Sequence, residues 1–447
     1  MSLGRHSNRS VLVLGVIANL GLLGYYKYAN FFVDNLNHLA GSDLTLNKII
    51  LPLAISFFTF QQVAYLVDAY RRETHEYNFF QYALFVIFFP QLIAGPIVHH
   101  KEILPQFEKP DAFRLKAEHL AVGITIFAIG LFKKVVLADS VAGFATPVFH
   151  AAESGAAISF IEAWAGTLSY TFQIYFDFSG YSDMAIGLGR MFGIVIPLNF
   201  NSPYKATSIV DFWRRWHMTL SRFLRDYLYI PLGGSRKGEA RRMVNLMITM
   251  LLGGLWHGAG WTFVLWGGLH GIFLVINHTW SKFIPEKEGT SKFQPGRILA
   301  WALTFLAVVI TWVPFRAESM QGAMNILSGM AGLNGIILPS ALAGKLGIMS
   351  TWLISHGVTF GWIFQAINPD GLVPWIAALF IISVFFPNTQ SFMHHYVELT
   401  TYSDHSTLQK QFLQWKPTAI WGILSGLIFA AALLFLTRVS EFLYFQF

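Results

Sequence analysis

Long apolar runs separated by short polar segments make up most of the sequence. A helix that crosses a membrane needs about 20 predominantly apolar residues, and many of the runs approach or exceed this length. The runs are Val11–Tyr28, Ile49–Val67, Phe79–Val98, His119–Phe149, Ala157–Met184, Met243–Trp280, Ile298–Val313, Trp352–Ala366, Leu372–Phe386 and Thr418–Thr437. Two of them are long enough to hold a span and a half, or two short helices joined by a Gly-rich turn. The pattern predicts an all-α polytopic membrane protein with about 9–12 embedded helices, some of them broken or re-entrant.

Helix-breaking and charged residues interrupt several of these runs. Pro90 and Pro96 break the third run, while Asp177, Gly180 and Asp183 interrupt the fifth. Irregular backbone at membrane depth is tolerated only where it is buried in protein or lines a wet cavity. We therefore expect the helices to enclose a site.

The longest polar internal segment is Asn199–Arg242, which carries a dense set of Arg and Lys residues. Basic residues concentrate in cytoplasmic loops of membrane proteins, so we place this segment on the cytoplasmic side. The same rule, together with contact to anionic lipid head groups, accounts for the net charge of +7. We therefore expect membrane lipids, and no nucleic acid, as partners.

Composition supports a membrane class and removes several chemistries. The 447 residues are 54% hydrophobic and only 12% charged, whereas soluble domains average roughly 25% charged residues. There is no cysteine, which excludes disulfides, zinc–thiolate sites, iron–sulfur clusters and a cysteine nucleophile. No HExxH, P-loop, GxGxxG or GxSxG pattern occurs, and we expect neither a metal nor a bound cofactor.

The segment Asp211–Leu228 is the first that carries candidate chemistry. Its spacing predicts one amphipathic helix with Trp213 and His217 near one face and Arg214 and Arg215 on another. An interfacial helix, with tryptophan at head-group depth and arginine toward phosphates, explains the Trp and Arg residues equally well. His217 on the apolar side is harder to explain this way, because a buried imidazole needs polar partners.

The second candidate is His257, which follows Trp256 and precedes Gly258 in an apolar run. An ionisable group inside a membrane is by default a functional-site hypothesis. The alternative is a core histidine bonded to a backbone carbonyl. His270 lies thirteen residues further, about 220° around an unbroken helix, so we predict a structural role for it on another face.

Two carboxylates, Asp177 and Asp183, form the third candidate. In an apolar aromatic setting they need partners such as Arg, His or backbone N–H groups. They would orient a histidine, bind an ion, or satisfy the backbone of a broken helix, and we favour the structural role.

With these residues described, the sequence resembles the membrane-bound O-acyltransferase superfamily. It is most similar to the bacterial branch that includes the alginate O-acetylation and teichoic-acid D-alanylation membrane proteins. The resemblance rests on SFFTFQQVAYLVDAYR (56–71), FFPQLIAGPIVHH (88–100), YFDFSGYSDMAIGLGRMFG (175–193), FNSPYKATSIVDFWRRWHMTLSRFLRDYLYIPLGGSR (200–236), LLGGLWHGAGWTFVLWGGLHG (251–271) and SEFLYFQF (440–447).

The resemblance implies a ring of helices around a thin central funnel, formed by residues 1–447 as one membrane domain. His257 then corresponds to the family's invariant histidine and His217 to its second polar position. Members of this branch usually carry further hydrophobic helices on the N-terminal side of the region that aligns with the first residues of this sequence. We therefore expect part of the wall of the ring to be missing.

Acyl transfer to a hydroxyl needs a base for the hydroxyl proton and donors for the oxyanion. We expect His257 to be the general base or a transient acyl acceptor, because imidazole has a pKa near 6.5. His217 would orient it or act as an acid. We also assign weaker substrate or donor contacts to Arg214, Arg215, Trp256, Asp177 and Asp183, the arginines facing donor phosphates.

The implied enzyme is an acetyltransferase-type O-acyltransferase of the bacterial cytoplasmic (inner) membrane. We expect its donor to be acetyl-CoA or another pantetheine thioester. The acceptor would be an extracytoplasmic polysaccharide such as alginate, reached directly or through a periplasmic SGNH-type acetyltransferase or esterase. Two alternatives remain: a non-catalytic scaffold of an envelope complex, and a transporter, which would more typically show inverted repeats.

Overall fold

The structure is a computed structural model that describes residues 8–74, 78–92, 95–110, 112–283, 295–394, 396, 414–437 and 443. Helices dominate, and their bounds are α1 Arg9–Leu23, α2 Ala29–Ala40, α3 Ile55–Tyr70, α4 Phe79–Ile87, α5 His100–Phe107, α6 Ala117–Phe132, α7 Asp139–Glu153, α8 Phe160–Met191, α9 Ile209–Trp213, α10 Met218–Leu224, α11 Glu239–His257, α12 Trp261–Phe283, α13 Pro295–Arg316, α14 Met320–Met330, α15 Ser340–Leu346, α16 Ile348–Ser355, α17 Leu372–Phe385, α18 Thr389–Phe392 and α19 Ala419–Phe435.

Short turns of other helix types join several of these elements. π-helical turns at Gly24–Tyr28, Lys133–Ala138 and Arg225–Tyr229 connect α1 to α2, connect α6 to α7 and extend α10, and 3₁₀ turns occupy Phe89–Gln91 and Pro203–Lys205. A π turn holds an extra residue within a helix and is frequent at functional sites. The first two π turns each carry lysines in otherwise apolar helices.

Among the described residues, three helical stretches can cross a membrane by length and composition: Arg9–Ala40, Ala117–Glu153 and Gly296–Arg316. Leu372–Phe385 and Ala419–Phe435 are shorter apolar helices. Large apolar side chains remain exposed on many outer faces, as expected of a surface that contacts lipid. The predicted all-α membrane class is confirmed.

The helix α8 runs for 32 residues through Asp177, Gly180 and Asp183, so the prediction that these residues interrupt the fifth apolar run is wrong. They stay helical because α8 is buried against its neighbours. A Cβ atom on Gly180 would lie 2.7 Å from the Gly130 carbonyl oxygen. Glycines of this kind let helix backbones meet in membranes, and the Lys133–Ala138 turn supplies the carboxylates with cations.

The predicted single helix through Asp211–Leu228 is also wrong. The helix α9 ends at Trp213, and His217 has a left-handed φ of 42° before α10 begins. The reason is a pair of backbone bonds: Asn201 N–H donates to Arg215 O at 2.9 Å, and Met218 N–H donates to Asn199 O at 3.0 Å. These bonds hold the chain out of the helix and turn His217 inward.

Two further runs differ from simple spans. The glycines of the Met243–Trp280 run separate α11 from α12, which lie so close that a Cβ on Gly254 would be 3.1 Å from Gly267 Cα. The predicted span Trp352–Ala366 is instead the end of α16 followed by β2. The strands β1 (Ile336–Pro339) and β2 (Val358–Gly361) pair in parallel.

Candidate active site

His257 is the last residue of α11 and lies among aromatic rings. The ring centroids of Trp256, Trp266 and Phe315 are 4.9, 5.0 and 5.1 Å from the centroid of its imidazole. A cavity of about 20 Å³ adjoins the imidazole. Its lining residues are Ile174, Asp177, Phe178, Trp216, His257, Trp266, Phe315 and Leu443. A single water needs about 10–15 Å³, so the cavity has room for one small polar group beside His257.

His217 is fully buried, and Asn199 sets its tautomer. The Asn199 Oδ1 atom accepts hydrogen bonds from the backbone N–H of Thr219 at 3.3 Å and from its hydroxyl at 2.9 Å, which identifies it as the carbonyl oxygen. His217 Nδ1 lies 3.0 Å from the same oxygen and therefore donates to it. The Nε2 atom is left with its lone pair, buried and without a hydrogen-bond partner among the described residues.

The two imidazoles lie near one another without direct contact, although His217 is not among the residues that line the cavity. Their ring centroids are 6.5 Å apart with planes inclined by 56°, too far for a nitrogen–nitrogen hydrogen bond. The spacing accommodates one hydroxyl or water oxygen between the rings. The fold thus brings together His217 and His257, the two candidate catalytic histidines, which are forty residues apart in the chain.

Asp177 lines the cavity, and Lys134 neutralises it. The Lys134 Nζ atom lies 2.6 Å from Asp177 Oδ1 and 2.7 Å from Asp139 Oδ1. Asp183 forms a separate pair with Lys133 at 2.6 Å and accepts bonds at 2.6 and 2.8 Å from Thr389 and Gln390. Both acids are therefore paired as predicted, although their cations are lysines rather than arginine or histidine.

His270 does not line the cavity. The indole N–H of Trp213 donates to His270 Nδ1 at 3.3 Å, and the ring packs at 4.8 Å from Trp266. His270 thus supports the outer side of an indole whose inner side touches His257. The separation from His257 arises from the break between α11 and α12 rather than from helix rotation.

A second, larger cavity of about 640 Å³ forms a groove on the polar side of the α11–α12 hairpin. Arg214, Arg222, Arg225 and Arg242 all line it; we call it the arginine groove. Arg214 is exposed, whereas Arg222 is held by both oxygens of Glu102 at 2.6 and 2.8 Å. The groove concentrates positive charge in a pocket of ligand size.

From the sequence we assigned substrate or donor contacts to Arg215 and Trp256. Neither residue lines either of the two cavities. The Arg215 Nε atom donates to Asp211 Oδ1 at 2.8 Å, and its guanidinium also reaches Asn201 O; it is absent from the lining of the groove. Trp256 stacks on Phe60 at 4.8 Å and flanks His257 from outside the cavity.

A buried polar chain lies close to Arg222, one of the arginines that line the groove. The Tyr227 hydroxyl donates to Asp68 Oδ1 at 2.9 Å, so the bond at 3.2 Å between His99 Nδ1 and the Tyr227 oxygen has His99 as donor. Burial, assisted by the charge of Arg222, lowers the pKa of His99 to about 4. His99 therefore stays neutral, and the positive charge there belongs to Arg222.

A thin aromatic wall separates the two cavities. Trp213 lines the arginine groove and packs 5.8 Å from Trp266, which lines the cavity at His257. The groove and the histidines are therefore neighbours on the two sides of one layer of indole rings.

Several residues at the site escaped the sequence analysis: Lys27, Lys134, Asn199 and Trp266. A lysine inside an apolar run was the available signal for the first two. Asn199 and Trp266 carry no local signal, because only the tertiary contacts distinguish them from other polar or aromatic residues.

Comparison with known proteins identifies close relatives. The peptidoglycan O-acetyltransferase of Helicobacter pylori is 51% identical over 354 residues, 73% of this chain and 66% of that protein. The probable alginate O-acetylase AlgI of Pseudomonas aeruginosa is 45% identical over 324 residues, 71% and 60% of the respective chains. The teichoic acid D-alanyltransferase of Bacillus subtilis is 27% identical over 274 residues, 60% and 67%.

The match thus spans slightly less than two thirds of the first two relatives. A sequence model of the family described as MBOAT, membrane-bound O-acyltransferase family, matches residues 42–315, which is more than half of the chain and includes both His217 and His257. The resemblance seen in the sequence is confirmed: the chain belongs to the membrane-bound O-acyltransferase family.

Proposed function

We propose that this chain is an O-acyltransferase that passes an acetyl group from a thioester donor to a hydroxyl of an extracytoplasmic polysaccharide. The observation that carries the proposal is the pair of buried imidazoles, whose ring centroids lie 6.5 Å apart, with a cavity for one small polar group at His257. The unpartnered Nε2 atom of buried His217 leaves an acceptor for the proton of a hydroxyl.

The reaction needs one proton transfer and one acyl transfer. His257 removes the proton of the acceptor hydroxyl as its oxygen attacks the thioester carbonyl, and the C–S bond of the tetrahedral intermediate then breaks. The thiolate leaves with the proton that the imidazole took up, so atoms and charge balance. His217, whose Nε2 keeps a free lone pair, holds the hydroxyl between the two rings.

The oxyanion of the tetrahedral intermediate needs hydrogen-bond donors in a dry site. The indole Nε1–H of Trp266 is buried without a partner among the described residues, and its ring lines the cavity. An indole N–H can only donate. Trp266 is therefore our candidate for one oxyanion donor.

The arginine groove suits the phosphates of the donor. Arg242 and His257 lie fifteen positions apart on α11, about 22 Å at 1.5 Å per residue. A donor bound by its phosphates must therefore carry its thioester on a long arm, as acetyl-CoA or the pantetheine of a carrier protein does. Of the two arginines to which we assigned a phosphate contact, Arg214 lines the groove and keeps this role. Arg215 is instead hydrogen-bonded to Asp211.

We place the groove on the cytoplasmic face of a bacterial inner membrane, with the acceptor opposite. Because the chain has no cysteine, Ser235→Cys tests this orientation. A membrane-impermeant thiol reagent should leave this cysteine unlabelled in intact cells and label it after permeabilisation. Labelling of intact cells would reverse the assignment of donor and acceptor sides.

The relatives are named for acetylation of alginate and of peptidoglycan. We propose a polysaccharide such as alginate as the acceptor here, reached directly or through a periplasmic SGNH-type partner. Measuring ester-linked acetate on exported polysaccharide and on purified peptidoglycan, with and without the gene, separates the two acceptors.

The central test is His257→Ala. Loss of a general base lowers the rate about 10²–10⁴-fold, so acetate on the polymer should disappear while the protein remains in the membrane, as measured by immunoblot. His270→Gln is the matched control and should stay near wild type, since His270 does not line the cavity. Retention of most of the acetate by His257→Ala would favour the transporter or scaffold alternative.

A further inference from the structure

The helix that ends at His257 is capped by a lysine from a distant part of the chain. The Nζ atom of Lys27 donates to the carbonyl oxygens of Trp256 and, at 3.0 Å, of His257. The neighbouring hydroxyl of Tyr28 donates to Leu255 O at 2.7 Å. Three successive carbonyls at the tip of α11 are therefore bonded by two adjacent side chains.

These hydrogen bonds satisfy carbonyl groups at the C-terminus of α11. Its final carbonyls have no intrahelical donors, and Gly258 leaves the helix in an extended conformation. A cation at a helix C-terminus is favourable because the carbonyl dipoles accumulate negative charge there. The ammonium of Lys27 also lies 5.9 Å from the ring of Trp256.

The lysine is placed by the π-helical turn Gly24–Tyr28. Beyond this turn, the Trp261 indole donates to Asn35 Oδ1 at 2.8 Å, and Phe31 packs 5.9 Å from Trp261. The stretch Arg9–Ala40 is otherwise peripheral, with 6% of its apolar window buried. Its contacts with the hairpin tip are therefore chiefly polar and directional.

We propose that Lys27 is a positioning residue for His257: it fixes the end of α11 so that the imidazole keeps its distance and angle to His217. The inference rests on the proposed function. A charge inside an apolar helix is expensive and is kept for a reason, and misplacement of a catalytic group by about 1 Å costs up to 10²-fold in rate. Lys27 lies outside the matched residues 42–315, so the family match does not assign it.

The first experiment compares Lys27→Met, Lys27→Arg and the control Lys282→Met. Lys282 forms an ion pair with Glu239 at the opposite end of the same helical hairpin. With membranes, radiolabelled acetyl-CoA as the probe and a soluble polysaccharide acceptor, Lys27→Met should lower kcat about 10- to 100-fold with KM within about twofold. Lys27→Arg keeps charge and donors and should restore most of kcat.

An unchanged kcat in Lys27→Met, or an equal loss in Lys27→Arg, would overturn the proposal. Should Lys27→Met fail to reach the membrane, Lys27→Gln takes its place under the same criteria. His257→Ala run in parallel separates the two hypotheses: activity in His257→Ala contradicts the proposed function, whereas inactive His257→Ala beside active Lys27→Met contradicts only the role of Lys27.

The second experiment does not depend on activity. Ala259→Cys puts a single thiol in the turn after His257, in a chain without cysteine. Adding Lys27→Met should raise the rate of its reaction with N-ethylmaleimide by about fivefold or more, because the tip opens more often. Lys282→Met should leave the rate unchanged. An equal rate with and without Lys27 would show that the lysine does not hold the tip.

Discussion

The histidine centre and the arginine groove lie on two sides of one aromatic wall and differ in the kind of polar group that lines them. In the groove, charged guanidinium groups are bonded to neighbouring side chains, Arg222 to Glu102 and Arg242 to His278, while Arg222 Nε has no partner among the described residues. In the centre, His217 Nε2 and Trp266 Nε1 are buried without partners among the described residues. Neutral imidazole and indole nitrogens suit proton transfer and oxyanion binding, whereas guanidinium groups suit an anionic ligand.

The largest of the following effects is expected when the atom that orients His217 is removed. Asn199→Ala deprives His217 Nδ1 of its acceptor, and the ring can then turn Nε2–H toward the site instead of a lone pair. We expect acetyl transfer to fall about 10- to 100-fold, less than in His257→Ala. The same membrane assay with radiolabelled acetyl-CoA measures it.

Because Asn199 acts through His217, the double variant with His217→Ala should be no slower than the slower single variant. Asn201→Ala, two positions away, is the matched control, since Asn201 bonds Asn388 rather than a histidine. Multiplicative losses in the double variant would mean that Asn199 has a role independent of the histidine.

A second test compares the two buried acids of α8. Removing one partner of a buried ion pair costs about 3–5 kcal/mol, so Asp183→Ala should lower the amount of folded protein several-fold. Asp177→Ala should lower it less, because Lys134 keeps Asp139 as a partner. Fluorescence-detected size-exclusion chromatography of detergent extracts measures both amounts.

Normal abundance with lost activity in Asp177→Ala would assign this carboxylate to the reaction, since it lines the cavity at His257. The same result in Asp183→Ala would contradict its structural role, because Asp183 lies outside that lining and is occupied by Lys133, Thr389 and Gln390.

The smallest effect is expected in the groove. Arg214→Ala removes an exposed guanidinium that lines it and should raise KM for acetyl-CoA about three- to tenfold while kcat changes little. Arg215→Ala removes a guanidinium bonded to Asp211 and should change KM less than twofold. A fall in kcat, rather than a rise in KM, in Arg214→Ala would show that this arginine acts in the chemical step and not in binding the donor.

Much of the fold class was predictable because apolar runs of membrane length have few alternatives. The separation of α11 from α12 at a Gly-rich turn was one of two predicted outcomes. Asp177 and Asp183, however, remain inside one continuous helix, because lysines from the Lys133–Ala138 turn satisfy them. Local patterns cannot reveal partners that lie fifty residues away.

The sequence by itself determined the membrane class and the family and pointed to His217 and His257 as candidates, because these depend on composition and on local motifs. Only the tertiary structure decided how the histidines meet. Asn199 and Asn201 pair with the backbone of 215–218 and break the helix that local periodicity favours, which turns His217 inward. Lys27 reaches the tip of α11 from the Gly24–Tyr28 turn, more than two hundred residues away in the chain. Directional hydrogen bonds between distant segments, which no local pattern encodes, set the geometry of the centre.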